Sequence, residues 1–263
     1  MCHHLTQGND IGNFFVSISA NLISDVIFLL LFFLLAWLIY YLTKRRKLFK
    51  FFSIQDTKRL NVYLSRLFIC PGGAIGITGQ PASYQGISIV YKEAMAANKF
   101  RDNFNYLSPS FSDKPGLLSK ILLSDVQVQT IASVANTTEI DYTTSLITLG
   151  SPTYNLVSME AQNNSQSQVQ FANNGSTINI TGLQPMNNLT YGFIQRVHDQ
   201  NTNKNVFYTA GLTELGTVGA ANFLATNWSL LYKKYNWDKN FIIVLNFNQT
   251  NINNWSIVVE KTW

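Results

Sequence analysis

Two cysteines and three histidines among 263 residues leave little from which to build a disulfide framework or a metal centre. Cys2 and Cys70 stand on opposite sides of a long apolar run and cannot easily pair, which suits a reducing compartment. His3 and His4 precede that run and only His198 follows it, so no metal is expected. Charge is scarce as well: 13% of residues are charged against 46% hydrophobic, a balance that excludes a disordered chain. The net charge of +5 is confined to one end, because residues 1–66 hold eight Lys and Arg against three acids and the rest holds eleven of each sign. A basic stripe able to follow a phosphate backbone is therefore missing from 67–263, and nucleic acid is not an expected partner. Also missing are a Walker A loop, a G-x-G-x-x-G fingerprint, an H-E-x-x-H pair and a Ser-His-Asp order, so no cofactor is expected and no hydrolase class is marked.

What is present first is the run itself. From Val26 to Leu42 the chain reads VIFLLLFFLLAWLIYYL without a charge, and Leu22, Ile23 and Ser24 extend it towards the ~20 residues a bilayer requires. No Lys or Arg precedes it, which argues against a cleavable signal, and Trp37, Tyr40 and Tyr41 stand where an interfacial belt belongs. We read 22–43 as a single transmembrane helix and the lipid bilayer as a partner. Lys44-Arg45-Arg46-Lys47 directly after it place the following chain in the cytoplasm and residues 1–21 outside or at the outer interface. Residues 44–60 then read as a basic juxtamembrane linker whose aromatics rest on the bilayer surface. Asp25 lies near the outer headgroups, or pairs between protomers of a homo-oligomer. The eight N-x-S/T matches carry little weight in a chain with 28 asparagines and a cytoplasmic domain.

Beyond the linker, 61–263 alternates strand and helix patterns. Strand composition appears at 61–69, 122–132, 144–150, 191–197, 206–212, 241–247 and 255–260; helical periodicity appears at 86–107 and 154–163. The clearest helix carries Val218, Ala221, Leu224, Trp228, Leu231 and Tyr235 on one stripe, with Lys233 and Lys234 suited to its C-terminal dipole. The Asn-rich stretch 163–188 holds a hairpin around Asn173-Asn174-Gly175, or forms a mobile insertion. The expected fold is α/β: one transmembrane helix followed by a Rossmann-like, largely parallel α/β sandwich with an antiparallel edge at the last strand.

In such sheets ligands bind outside the carboxyl ends of the strands. Three loops there share a composition: PGGAIGITG with Gly72, Gly73 and Gly76; GSPTYN with Gly150, Ser151 and Asn155; and GLTELGT with Gly211, Thr213, Gly216 and Thr217. Their backbone N–H groups can cradle an anion and their hydroxyls and amide can read a ribose or a base, so a nucleotide or nucleoside-like ligand is the expectation. The same residues also serve as ordinary turns and helix caps. The acids that can face such a crevice are Glu93, Glu160 and Glu214. Any of them can stabilise an oxocarbenium-like transition state in the manner of an NAD or nucleoside N-glycosidase-type hydrolase or transferase. Glu93, with Arg101 eight positions on, fits a surface face equally well. The competing class is a membrane-tethered scaffold without a small-molecule pocket.

Ser151-Pro152-Thr153-Tyr154, with Ser158 and Glu160 following, resembles the strand-to-helix passage of TIR domains over residues 151–160. That resemblance implies a glutamate able to cleave the nicotinamide bond of NAD. Glu160 comes two positions after Ser158, closer than the family spaces them, and the family's Trp-Cys pair is absent.

Overall fold

A computed structural model describes residues 8–54, 58–69, 86–105, 126–172, 176–199 and 202–263, with side chains at 8–21, 67–69, 86–89 and 105 excepted. The chain divides into two units, Met1–Arg46 and Lys47–Trp263.

Helix α1 (Gly8–Phe51) runs without a proline through the described residues of the first unit. Its portion Leu22–Phe51, 30 residues at a hydropathy of 2.7, is long and apolar enough to cross a membrane, and nothing in its most apolar window is buried. At 1.5 Å per residue it reaches roughly 45 Å, against a hydrocarbon layer of about 30 Å. Phe28 and Phe33 are 68% and 66% exposed, unlike the side chains of a helix inside a soluble core.

The last turn of α1 belongs to the second unit. Leu48, Phe51, Phe52 and Ile54 have no exposed surface. Phe51 and Phe52 meet Phe207 at 5.3 and 5.0 Å between ring centroids. Asn205 Nδ2 donates to the Phe51 carbonyl and Ser145 Oγ to that of Ser53. The stretch 48–54, expected as linker with aromatics on the bilayer, is core because its aromatic residues fill the space beneath a sheet, where they bury more apolar area than headgroups would cover.

That sheet has seven strands: β1 (Arg59–Leu64), β4 (Gln127–Ala132), β5 (Ser145–Leu149), β8 (Tyr191–Asp199), β9 (Lys204–Gly211), β10 (Phe241–Phe247) and β11 (Trp255–Thr262). They lie in the order β11-β10-β8-β9-β5-β1-β4. Pairs β4/β1, β1/β5 and β5/β9 are parallel, whereas β9/β8, β8/β10 and β10/β11 are antiparallel. Strands β4, β1, β5, β9 and β10 therefore share one direction, and the sheet is mostly parallel, with the last strand an antiparallel edge as expected. Two small antiparallel pairs lie outside it: β2 (Arg66–Ile69) with β3 (Gly86–Ile89), and β6 (Val169–Ala172) with β7 (Thr177–Ile180).

Helix α2 (Tyr91–Asn105) links β3 to β4, α3 (Leu156–Asn163) follows β5, and α4 (Glu214–Tyr235) lies between β9 and β10. Strand alternation assigns the layers. Phe193, Tyr208, Ala210, Ile242 and Val244 pack with Ala161 of α3 and with Val169, Ile178 and Ile180 of the β6/β7 hairpin. On the opposite face Phe207 meets Phe52, which meets Phe104 of α2 at 5.1 Å, and Phe241 stacks on Tyr235 of α4 at 4.3 Å. Arg196 is fully buried there, donating to the carbonyls of Lys239 and Asn236 just past the α4 C-terminus. Its guanidinium, held down to about 9 by burial, lies over the Phe51 and Phe241 rings.

Two expected elements differ. The strand predicted at 61–69 breaks at Ser65 into β1 and β2, and the helix predicted from Gly86 begins at Tyr91, because Gly86–Ile89 pairs with β2 instead. The hairpin predicted in the Asn-rich stretch is present.

Candidate functional site

The chain leaves β1 through α2 to reach β4 on one side, and leaves β5 through α3 and β8 to reach β9 on the other. The direction of progression therefore reverses between β1 and β5, where the two connections part and leave a crevice at the strand ends. Ser65 follows β1 at this point and Gly150 follows β5.

Between them comes Glu93, the third residue of α2, only 5% exposed. Its Oε2 accepts from the Ser65 N–H at 2.8 Å and its Oε1 from Ser65 Oγ at 3.0 Å. Burial pushes its carboxyl up to about 7, the two Ser65 hydrogen bonds oppose the rise, and the neighbouring Glu214 carboxylate adds to it. Gly150 has φ +97, and a Cβ there would lie 2.2 Å from Ser65 Oγ and 2.6 Å from Glu93 Oε1. Glycine is what lets the buried carboxyl and the strand end share this space. Next to Glu93, Lys92 reaches the exposed Glu214 at 2.9 Å and ties the first turns of α2 and α4 together.

On the same edge of the sheet an open cleft of about 600 Å³ is lined by residues that follow β1, β4 and β5, among them Arg66, Ser133, Pro152, Tyr154 and Met159. Ser133 Oγ accepts from the Leu156 N–H at the start of α3, and Tyr154, 55% exposed, presents its ring at the surface. Glu93 is not among the lining residues.

The three predicted loops have different fates. Gly72, Gly73 and Gly76 lie outside the described residues. In the second loop Ser151 Oγ accepts from the Thr153 N–H, closing a turn. Asn155 is buried and fully engaged: its Oδ1 caps α3 by accepting from the Val157 and Ser158 N–H groups, and its Nδ2 donates to the carbonyls of Leu149 and Tyr63. The third loop is closed by its own groups. Thr213 caps α4 through the Gly216 N–H, and Thr217 Oγ1 accepts from the Gly211 N–H. Gly192, Gly211 and Gly216 touch so closely that a Cβ on Gly216 would stand 2.2 Å from the Tyr191 carbonyl oxygen.

The three candidate acids are thus apart in role. Glu93 and Glu214 are electrostatic neighbours at the strand ends, whereas Glu160 lines a separate cleft of about 440 Å³ with Tyr142 and Asp199. His198 is the penultimate residue of β8, with Nδ1 2.8 Å from Asn205 Oδ1. Among the described residues no group of His, Cys, Asp and Glu is placed to hold a metal. Ser65 and Lys92 were not singled out from the sequence. The available signal was Ser65 interrupting the apolar run NVYLSRLFI, a polar residue where a strand must leave the sheet.

No family model, no curated protein and no solved structure matches this chain. The ten-residue likeness to TIR domains therefore stands by itself, and the function is argued from the site.

Proposed function

We propose that the chain is a single-pass membrane protein, N-terminus outside and domain cytoplasmic, whose Rossmann-like α/β sandwich binds a nucleotide or nucleoside-like molecule at its strand ends. The observation that carries this reading is the conjunction at the β1/β5 reversal of a buried carboxyl, Glu93, with an open cleft of about 600 Å³. A cleft of that size falls in the range of small-molecule sites. Tyr154 offers a base a stacking face, Arg66 offers an anionic group a cation, and Ser133 offers a hydroxyl.

The sensor version has more support than the catalytic one. A glycosidic-bond-cleaving acid must approach the bond that breaks, and neither Glu93, Glu160 nor Glu214 lines this cleft. Glu93 bound to Ser65 is suited to holding the crevice in one of two protonation states. A second reading, a membrane-tethered scaffold, is favoured by the self-filled start of α4.

The test is a thermal-shift screen of the full chain in detergent micelles against NAD, nucleotides, cyclic nucleotides and nucleosides, with product analysis of each hit. A ligand at a hundred times its dissociation constant adds about 2.7 kcal/mol. Stabilisation with intact ligand, lost in Tyr154→Ala and Arg66→Ala, supports the sensor. Release of free base establishes the glycosidase, and no shift with any compound leaves the scaffold.

A further inference from the structure

Glu93 does not line the cleft, yet a short run of hydrogen bonds joins it to the residues that do. Strand β1 ends in a clamp. The Leu64 carbonyl accepts from the Ser133 N–H at 2.9 Å, and the Tyr63 carbonyl accepts from Asn155 Nδ2, which also donates to the Leu149 carbonyl at the end of β5. Gly150, next after β5, donates its N–H to the Thr209 carbonyl at 3.0 Å. Both strand ends are therefore fixed as far as Leu64 and Gly150. The chain then turns at Ser65, whose N–H and Oγ are both held by Glu93. One residue further, the Arg66 N–H donates to the Tyr154 carbonyl at 2.7 Å and carries the link into the cleft wall.

The surroundings of the carboxyl give this link two states. Ser65 supplies both of its hydrogen bonds, Gly150 packs against it too closely for a Cβ, and it is buried. The charged groups nearby do not neutralise it. Glu214 at the start of α4 repels it, Lys92 beside it on α2 is paired to Glu214, and among the described residues no cation, Arg66 included, is bonded to it. An uncharged carboxyl is at home there: its O–H donates to Ser65 Oγ and its other oxygen accepts from the Ser65 N–H. A carboxylate in the same place has no countercharge and gains by reaching water, which requires Ser65 and the first turn of α2 to move off Gly150. We propose that Glu93 is a positioning residue for the cleft: its protonation state sets where Ser65 stands, and Ser65 sets the Arg66–Tyr154 wall. This rests on the reading of the cleft as a ligand site and adds the regulation of that site. The change of state falls near neutral pH, because burial brings the carboxyl up to about 7. The wall keeps its place below that pH and is displaced above it, so a ligand that touches both Arg66 and Tyr154 binds more tightly on the acidic side.

The test needs no ligand. A 4-trifluoromethylphenylalanine replaces the exposed Tyr154 in the full chain in detergent micelles, and its fluorine resonance is followed from about pH 5 to about pH 9. The expected result is a sigmoidal shift with its midpoint near pH 7 when Glu93 is present. In Glu93→Gln, which cannot ionise, the resonance is expected to stay constant at the position of the acidic limit. A purely structural role would displace the resonance in the variant and leave it constant with pH when Glu93 is present. A resonance that does not move with pH when Glu93 is present, or that moves identically in Glu93→Gln, overturns the proposal and leaves the ligand reading as it was. A titrating resonance in a protein that no compound stabilises removes the ligand and leaves the link between Glu93 and the wall standing.

Discussion

Glu93 is the residue at which sequence and structure differ most. Its neighbours Lys92, Ala94 and Asn98 are as compatible with a solvated face as with a buried one, and nothing local marks it as buried. What buries it is a long-range arrangement: the end of β1 and the side-chain-free Gly150 close around it from two other parts of the chain. A carboxyl raised from 4.5 to about 7 binds a proton more tightly in the folded state than in the unfolded one. Its contribution to stability is complete below about pH 4.5 and is lost as pH rises through about 7. Glu93→Gln keeps an acceptor and a donor for Ser65 and cannot ionise. The melting temperature of the wild type is therefore expected to fall between about pH 5 and about pH 8, a loss of roughly 3 kcal/mol from this group, while the variant's stays level across that range. A wild-type melting temperature with the same slope as the variant's would show that the carboxyl titrates as an exposed one does.

Among the elements, those with a strong pattern were legible. The α4 stripe, the paired strands β6 and β7 and the apolar β5 and β10 are all where the sequence placed them. Legibility stops where identical residues satisfy two environments. Leu48, Phe49, Phe51 and Phe52 beside a basic run suit a bilayer surface as well as a protein core, and only the presence of Phe207, Phe104 and Phe241 across the gap decides it. The consequence is measurable. Truncating a fully buried phenylalanine costs about 3–5 kcal/mol, whereas an aromatic on a linker costs less than about 0.5 kcal/mol. Phe51→Ala in the full chain is expected to lower the melting temperature of the domain by about 10 °C. A change within about 2 °C would mean that the last turn of α1 is not a core element. The α4 start shows the same ambiguity in glycine: GLTELGT reads as an anion cradle or as close helix-to-sheet packing, and Gly216 does pack closely against Tyr191.

At the scale of the whole molecule, the α/β class and the predominance of parallel strands were readable from alternating patterns, but strand order was not, because no local feature of β8 states that it runs against β9. The order matters for function because it sets the reversal between β1 and β5, and with it the edge on which the crevice opens. Which side of a membrane that edge faces depends on one local feature, the basic run at 44–47, since the flank before Leu22 has no cation at all. The orientation we propose from the positive-inside bias puts the domain in the cytoplasm. The two native cysteines allow this to be read with an impermeant maleimide. With Cys70→Ser, the remaining Cys2 is expected to label in intact cells. With both cysteines replaced and Asn253→Cys introduced in the exposed turn between β10 and β11, labelling is expected only after permeabilisation. The opposite pattern would put the domain outside the cell and bring the N-x-S/T sites at Asn136, Asn179, Asn188 and Asn227 into play. An intracellular nucleotide would then no longer be the ligand to seek, because the crevice would face a compartment that does not supply it.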